Sequence, residues 1–141
     1  MLFRSPEGSF YGLNAGSDVL DIALAVLDGR IAAAKGDRKN AITHYETAVT
    51  IQDKIAYNEP ADWYYPMRET LGAALLLDGQ AVKAEEVFRA DLSKTRRNGR
   101  SLFGLWQALV AQGKTTDAEL VRNQFEKEWR DSQIQLKVEA L

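Results

Sequence analysis

The chain contains no cysteine and only one histidine, His44, in 141 residues. Without cysteine there is no disulfide framework, no zinc ribbon and no thiol nucleophile. A lone histidine gives little basis for a histidine metal site or a catalytic triad. We therefore expect no metal, no cofactor and no catalytic residue in this protein.

Neither sign of charge is in large excess, since the chain has 18 Lys and Arg and 20 Asp and Glu, a net charge of −2. No bulk basic field attracts nucleic acid or an anionic membrane. No apolar run approaches the roughly 18 residues that a membrane span needs, and the first twelve residues lack the apolar stretch of a signal peptide. We expect neither nucleic acid nor membrane as a partner and, by default, a cytoplasmic location. A fragment of a longer exported protein would look the same.

A short repeated pattern is the main feature that the sequence does have. It consists of a glycine followed five positions later by an alanine, at Gly36/Ala41, Gly79/Ala84 and Gly113/Ala118. Glycine at a helix end adopts the left-handed conformation without a steric penalty, and a small alanine lets two helices approach closely. Spacings of 43 and then 34 residues between the copies are typical of stacked helical hairpins.

Apolar residues recur at helical spacing between these turns, and strand signals are nearly absent. We predict an all-α fold of three antiparallel helical hairpins over residues 18–57, 62–95 and 99–131. Residues 1–16 are expected to be poorly ordered, and residues 132–141 form a tail that is either extended or a short docked helix.

The first helix has apolar residues on more than one stripe. One set comprises Leu20, Leu24, Leu27 and Ile31. A second set, Val19, Ala23 and Val26, is interpreted as the outer side. A terminal helix should be polar there, so the pattern favours either a missing upstream repeat or a second subunit that covers this side.

The pattern resembles the tetratricopeptide repeat, which has a small residue at position 8, alanine at 20, an aromatic at 24 and a small residue at 27. The matching residues are Gly29, Ala41, Tyr45 and Ala48 in the first repeat, Leu71, Gly72, Ala84 and Phe88 in the second, and Leu102, Leu105, Leu109 and Ala118 in the third. Asp91, Trp106 and Arg122 depart from the pattern, and the last two suit a terminal repeat. The resemblance covers roughly residues 18–130 and implies a right-handed superhelix. The segment 57–66 looks like a motif of bacterial members.

In that family the first helices of successive repeats line a concave groove that binds a protein or peptide. The resemblance therefore implies groove positions at Val26, Arg30, Ala33, Glu69, Ala73, Leu76, Arg100, Phe103, Gln107 and Val110. Arg30 and Arg100 would hold a peptide carboxylate, and Phe103 would offer apolar contact. The alternative interpretation is that these are ordinary exposed helix residues. The lysine and asparagine of the family's chaperone-tail clamp are missing, so that partner is not expected.

The segment 57–66 is longer than a repeat needs, and two interpretations remain open for it. Trp63, Tyr64 and nearby Arg68 would form a ligand-contacting edge, because aromatic faces take up apolar or cationic groups and arginine takes carboxylates. Alternatively, Asp62 caps the next helix, Pro66 fits its first turn and the aromatics pack between hairpins.

The basic run at residues 94–100 is interpreted as a helix end and the turn after it. The function that we predict is a non-catalytic scaffold that binds a partner segment in the groove and against residues 57–66. The alternative is self-assembly, as a homodimer through the first helix. An enzyme built on the polar and aromatic residues 59–68, with Glu59 and Asp62 as acid and base, is much less favoured.

Overall fold

The computed structural model describes residues 10–11, 14–56 and 58–141. The prediction of an all-α fold is confirmed, because 70% of the residues that the structure describes are helical. The helices are α1 Gly16–Ala34, α2 Arg38–Gln52, α3 Met67–Leu77, α4 Ala81–Lys94, α5 Gly99–Ala111 and α6 Thr115–Glu128, followed by a 3-10 helix at Val138–Ala140. Two short strands, β1 Phe10–Tyr11 and β2 Asn14–Ala15, pair antiparallel ahead of α1.

The chain divides into two compact units, residues 1–67 and 68–141. In the first unit α1 packs against α2. In the second unit α5 packs against both α4 and α6. The tail after α6 belongs to this second unit as well.

The three turns between paired helices are built in the same way. Each has a glycine in the left-handed region, with φ of 80°, 78° and 72° at Gly36, Gly79 and Gly113. In each turn the amide after the glycine donates to a carbonyl five residues earlier, as in the 2.9 Å bond from Asp37 N to Ala32 O. The same bond measures 2.8 Å after α3 and 3.0 Å after α5. The recurring glycines therefore mark one repeated helix ending, the Schellman motif.

Small residues bring the paired helices close together, as the sequence predicts. The alanines five positions after the turn glycines are all buried, at Ala41, Ala84 and Ala118. Gly29 of α1 lies beneath the ring of Tyr45 in α2, and Gly72 of α3 beneath the ring of Phe88 in α4. In each pair the aromatic follows the glycine by 16 positions, and its ring fills the space that a side chain would need.

The apolar stripes of α1 lie on different sides from those expected. Ile22, Ala25 and Gly29 are the buried residues, because Gly29 has to face Tyr45 and the other two lie on the same stripe. The residues expected on the outer side, Val19, Ala23 and Val26, are half-buried. The outer side instead carries Leu20, Leu24, Leu27 and Ile31, with 43% to 54% of each side chain exposed.

The two ends of the chain are only partly described by the structure. Most of the segment expected to be poorly ordered, 1–16, lies outside the described residues, and its remaining parts are β1, β2 and the first residue of α1. At the other end, residues 132–137 have no regular structure before the 3-10 helix. Within the described ranges, no helix combines the length and apolar character needed to cross a membrane.

Candidate partner-binding face

Helices α3 and α5 of the second unit form a face that we define by Thr70, Leu76, Arg100, Phe103 and Gln107. Four of these residues are groove positions that the family resemblance implies, namely Leu76, Arg100, Phe103 and Gln107. Thr70 is the addition that the structure makes. This α3–α5 face has a polar end and an apolar end.

An ion pair joins the two helices at the polar end. Arg100 Nε donates to Glu69 Oε2 over 2.5 Å. Glu69 is 2% exposed, whereas the Arg100 side chain is 30% exposed. Two predicted groove residues are therefore brought together, but one neutralises the other. The charge of Arg100 is therefore already balanced by a carboxylate of the same chain.

Asn98 connects this ion pair to a second buried carboxylate. Its amide nitrogen donates to Glu69 Oε1 over 2.7 Å and to Asp91 Oδ2 over 3.0 Å. The buried hydroxyl of Ser101 also donates to Asp91 Oδ2, over 2.7 Å. Asn98 additionally caps α5, since its side-chain oxygen accepts from Arg100 N at 3.1 Å. This network explains why Asp91 stands where the repeat pattern has a small residue.

Phe103 belongs to an aromatic cluster at the apolar end. Its ring lies 5.8 Å from Trp106 in an edge-on arrangement and 5.5 Å from Phe125 of α6. Trp129 stacks on the other side of Phe125, with centroids 5.9 Å apart. Phe103 is only 9% exposed. Most of its ring surface is therefore buried in the core, and only an edge of the ring is accessible to a ligand.

A cavity of about 380 Å³ opens beside this aromatic edge. Its lining residues are Leu76, Leu77, Phe103, Gln107, Ala111, Lys137, Val138 and Glu139. Helices α3 and α5 supply the first five, and the chain's own tail supplies the last three. The cavity is wide open to solvent, so it offers a contact surface and not an enclosed pocket.

The tail also closes the polar end of the face. Arg100 Nη2 donates to the main-chain oxygens of Ala140 at 2.6 Å and Leu141 at 3.3 Å. The hydroxyl of Thr70 donates to the Leu141 oxygen over 3.3 Å. The α3–α5 face therefore holds a peptide segment, and that segment comes from the same chain.

The other predicted groove arginine, Arg30, lies in the first unit and is exposed. It is near Tyr45, whose pKa is raised by burial, while the positive charge of Arg30 acts in the opposite direction and Tyr65 adds to the increase. The remaining predicted positions differ in exposure, since Ala73 is buried and Val110 is 53% exposed.

In the segment 57–66 the structure supports neither interpretation completely, and Tyr57 lies outside the described residues. Tyr64 is 88% exposed, so it does not pack between hairpins. Trp63 is half-buried, and its Nε1 is buried without a hydrogen-bond partner among the residues that the structure describes. Arg68, the third residue of the predicted edge, is half-buried in the second unit.

Asp62 does not cap α3. Its carboxylate accepts from Asn14 Nδ2 at 2.6 Å and Asn58 Nδ2 at 3.3 Å. The first amide of α3, Met67 N, is instead bonded to Gln52 Oε1 at 2.9 Å, and Gln52 Nε2 donates to Tyr65 O over 2.9 Å. Asp62 thus fixes the loop, whereas Gln52 fixes the entry to the helix.

The carboxylate of Asp62 takes part in the hydrogen bonds of the loop. The Asp62 oxygens are engaged by two asparagine amides. Across the described residues, no three His, Cys, Asp or Glu side chains are grouped so that they could hold a metal ion.

Sequence reasoning missed the tail and Thr70 as parts of the α3–α5 face. Ile134, Leu136 and Val138 alternate with polar residues, unlike the helix before them, but this pattern does not indicate where the segment docks. The signal in the sequence is weak, because it consists only of apolar residues such as Leu136 and Leu141 among polar ones.

The chain matches no protein-family model, no curated protein and no solved structure.

Proposed function

We propose that this protein is a non-catalytic interaction module of the tetratricopeptide-like type, which binds a segment of a partner protein on its α3–α5 face. The repeat assignment is supported by the three turns with the same hydrogen bonds and by the small-to-aromatic pairs 16 residues apart. Repeats of this kind expose the surface of their first helices to partners.

The main support for the proposal is the way in which the α3–α5 face binds residues 140 and 141. Arg100 donates to the carbonyl oxygen of Ala140, and both Arg100 and Thr70 donate to an oxygen of Leu141, so the face recognises oxygens of a peptide segment and not its side chains alone. Beside them, the cavity of about 380 Å³ offers space next to Leu76, Phe103 and Gln107. Polar groups that recognise a backbone beside an apolar cavity form the arrangement by which a surface binds a peptide.

Site-specific photo-crosslinking tests the proposal. A benzophenone amino acid is placed at Gln107, which lines the cavity, and as a matched control at Glu119, which is exposed on α6. With an extract of the cells that make the protein, we expect one discrete adduct from position 107 and none from position 119, identified by mass spectrometry. Equal products at both positions would contradict a specific face.

The predicted contacts in the first unit, Arg30, Trp63 and Tyr64, need a separate test. The same crosslinker at position 64, whose side chain is 88% exposed, reports on the 57–66 edge. Arg30→Ala changes an exposed residue and should leave the melting temperature unchanged. If both sites contribute, the adduct at position 64 appears with the same partner as at position 107, and Arg30→Ala lowers its yield.

Self-assembly is a second candidate, favoured by the exposed stripe of α1. Leu20, Leu24, Leu27 and Ile31 follow one another at spacings of four, three and four, the repeat of a helix that pairs with another helix. Two copies of α1 related by a two-fold axis would cover this stripe.

Sedimentation velocity decides this second candidate. We expect the protein to dimerise with rising concentration and the Leu24→Glu/Leu27→Glu variant to stay monomeric. Leu120→Glu is the control, since Leu120 is 60% exposed and is the one leucine of α6, so it does not belong to a stripe of leucines. A monomer at millimolar concentration of the unaltered protein would exclude self-assembly.

A further inference from the structure

Part of the contact that holds the tail of the second unit is made with its oxygens and does not depend on its side chains. Arg100 donates to the carbonyl oxygen of Ala140 and to an oxygen of Leu141, and Thr70 also donates to the Leu141 oxygen. A different segment that places two oxygens at these positions, from the main chain or from a carboxylate, would satisfy the same donors.

Two leucines of the tail are buried. Leu136 and Leu141 are 8% and 6% exposed, whereas Ile134 two positions earlier is 67% exposed. Between the two leucines stand Lys137, half-buried Val138, Glu139 and Ala140. The bound segment therefore presents two apolar anchors five positions apart, with charged residues between them.

The tail fills the face incompletely and is held by little regular structure. A cavity of about 380 Å³ remains between Lys137–Glu139 and the helices. Residues 132–137 lack regular structure, and the 3-10 helix has three residues. Its release requires no helix of the unit to unfold, which places it among the segments that open locally.

We propose that residues 136–141 are an internal ligand of the α3–α5 face, which a partner segment with two apolar side chains five positions apart displaces. The inference rests on the proposed function, whose face and mode of binding it specifies. A tethered segment competes at an effective concentration in the millimolar range. A partner segment therefore binds the unaltered chain more weakly than it binds a chain whose tail has been released.

Fluorescence anisotropy with a labelled peptide of residues 134–141 tests the competition on the full chain. The release variant is Leu136→Asp/Leu141→Asp, and the matched control is Ile134→Asp, which changes an exposed residue of the same segment. We expect the peptide to bind the release variant at least 10-fold more tightly than the unaltered protein, and the control to behave as the unaltered protein. A scrambled peptide should bind none of them.

A further variant tests whether the face itself is the site. Thr70→Val in the release variant removes the hydroxyl donor at nearly constant volume, and we expect it to weaken peptide binding several-fold. Circular dichroism establishes that the release variant is folded. If the folded variant does not bind the peptide, or if it and the unaltered protein bind equally well, the inference is overturned.

A measurement on the unaltered chain keeps the test independent of variants. With ¹⁵N-labelled protein, saturating unlabelled peptide should move the amide resonances of residues 138–141 to disordered positions, while those of α6 stay in place. Unmoved tail resonances at saturation would refute displacement. The proposed function is judged separately, because a discrete crosslink at position 107 would survive these failures and would then mark a partner that binds without displacing the tail.

Discussion

The ring of Phe88 lies over Gly72, in the space that a β-carbon at that position would occupy. Gly72 is on α3 and Phe88 on α4, so this contact sets how closely the two helices of the hairpin approach. A glycine inside a helix costs roughly 0.5–1 kcal/mol relative to alanine. Glycine is nevertheless required at position 72, because any other residue would leave no room for the ring.

Gly72→Ala should therefore destabilise the protein by about 1–2 kcal/mol, since overpacking a core costs roughly 1–3 kcal/mol and exceeds the gain in helix propensity. Urea denaturation measures the change. In a Phe88→Leu background, which lacks the ring atoms that would overlap, Gly72→Ala should instead be neutral or stabilising. The same loss in both backgrounds would mean that Phe88 is not the reason for the glycine.

Asn98 offers a test that separates helix capping from its role between two carboxylates. Asn98→Asp keeps an oxygen that caps α5 but replaces the donor to Glu69 and Asp91 with a third negative charge. We expect a loss of about 3 kcal/mol or more, because a third negative charge is placed beside two buried carboxylates and each of them loses one donor. Asn98→Ala loses the cap and the donor but adds no charge, so it should be the milder change. If Asn98→Asp is nearly neutral in thermal or urea unfolding, capping is the whole role of Asn98.

Glu85 gives the protein a predictable dependence on pH. A hydrogen bond from Lys114 Nζ at 2.7 Å is the main reason why the pKa of Glu85 falls to about 2 from its ordinary 4.5. Gln112 and Arg89 lower the pKa further, and burial opposes them. Because the unfolded chain binds the proton more readily, the stabilisation is complete above pH 4.5 and is lost as the pH falls towards 2.

Glu85→Gln should accordingly lower the free energy of unfolding by about 1–2 kcal/mol at pH 7, a figure reduced because Lys114 and Arg89 are about half exposed. The difference from the unaltered protein should shrink steadily below pH 4.5 in urea titrations. Glu86→Gln, on the exposed side of the same helix, is the control and should show no such trend. A difference that stays constant down to pH 2 would exclude the ion pair as its source.

Gln52 holds the segment before α3 through both atoms of its amide. Gln52→Met removes the acceptor for Met67 N and the donor to Tyr65 O, so we expect a loss of about 1–2 kcal/mol. Amide hydrogen exchange should become faster in residues 58–67 of the variant, while exchange in α1 should not change. Gln124→Met, an exposed position in α6, controls for the loss of an amide and should leave exchange unchanged. Protection that survives Gln52→Met would assign the ordering of this segment to other contacts.

The third hairpin illustrates where a sequence pattern stops being informative. Trp106 and Arg122 occupy the places of the small residue and the aromatic, and the pattern alone treats them as departures. In the structure the guanidinium of Arg122 lies 5.6 Å from the centroid of the Trp106 ring. A cation over an aromatic face thus replaces an aromatic over a glycine at the same spacing.

The α3–α5 face was only partly predictable for a related reason. The resemblance to a repeat family places Glu69 and Arg100 on one face, but their pairing depends on how two helices from different hairpins are placed. Asn98, Thr70 and the tail enter through contacts between positions 29 to 71 residues apart. No local pattern records such contacts, because each residue type would also suit an exposed surface.

The amino-acid sequence by itself determined the helices, the three glycine turns and the small residues at the helix contacts. These features depend on local conformational preference and on side-chain size, which neighbouring residues fix within a few positions. The tertiary structure decided which stripe of α1 is buried, which carboxylates are neutralised and where the tail lies. These outcomes depend on distances between segments far apart in the chain, which only the packed helices bring within contact.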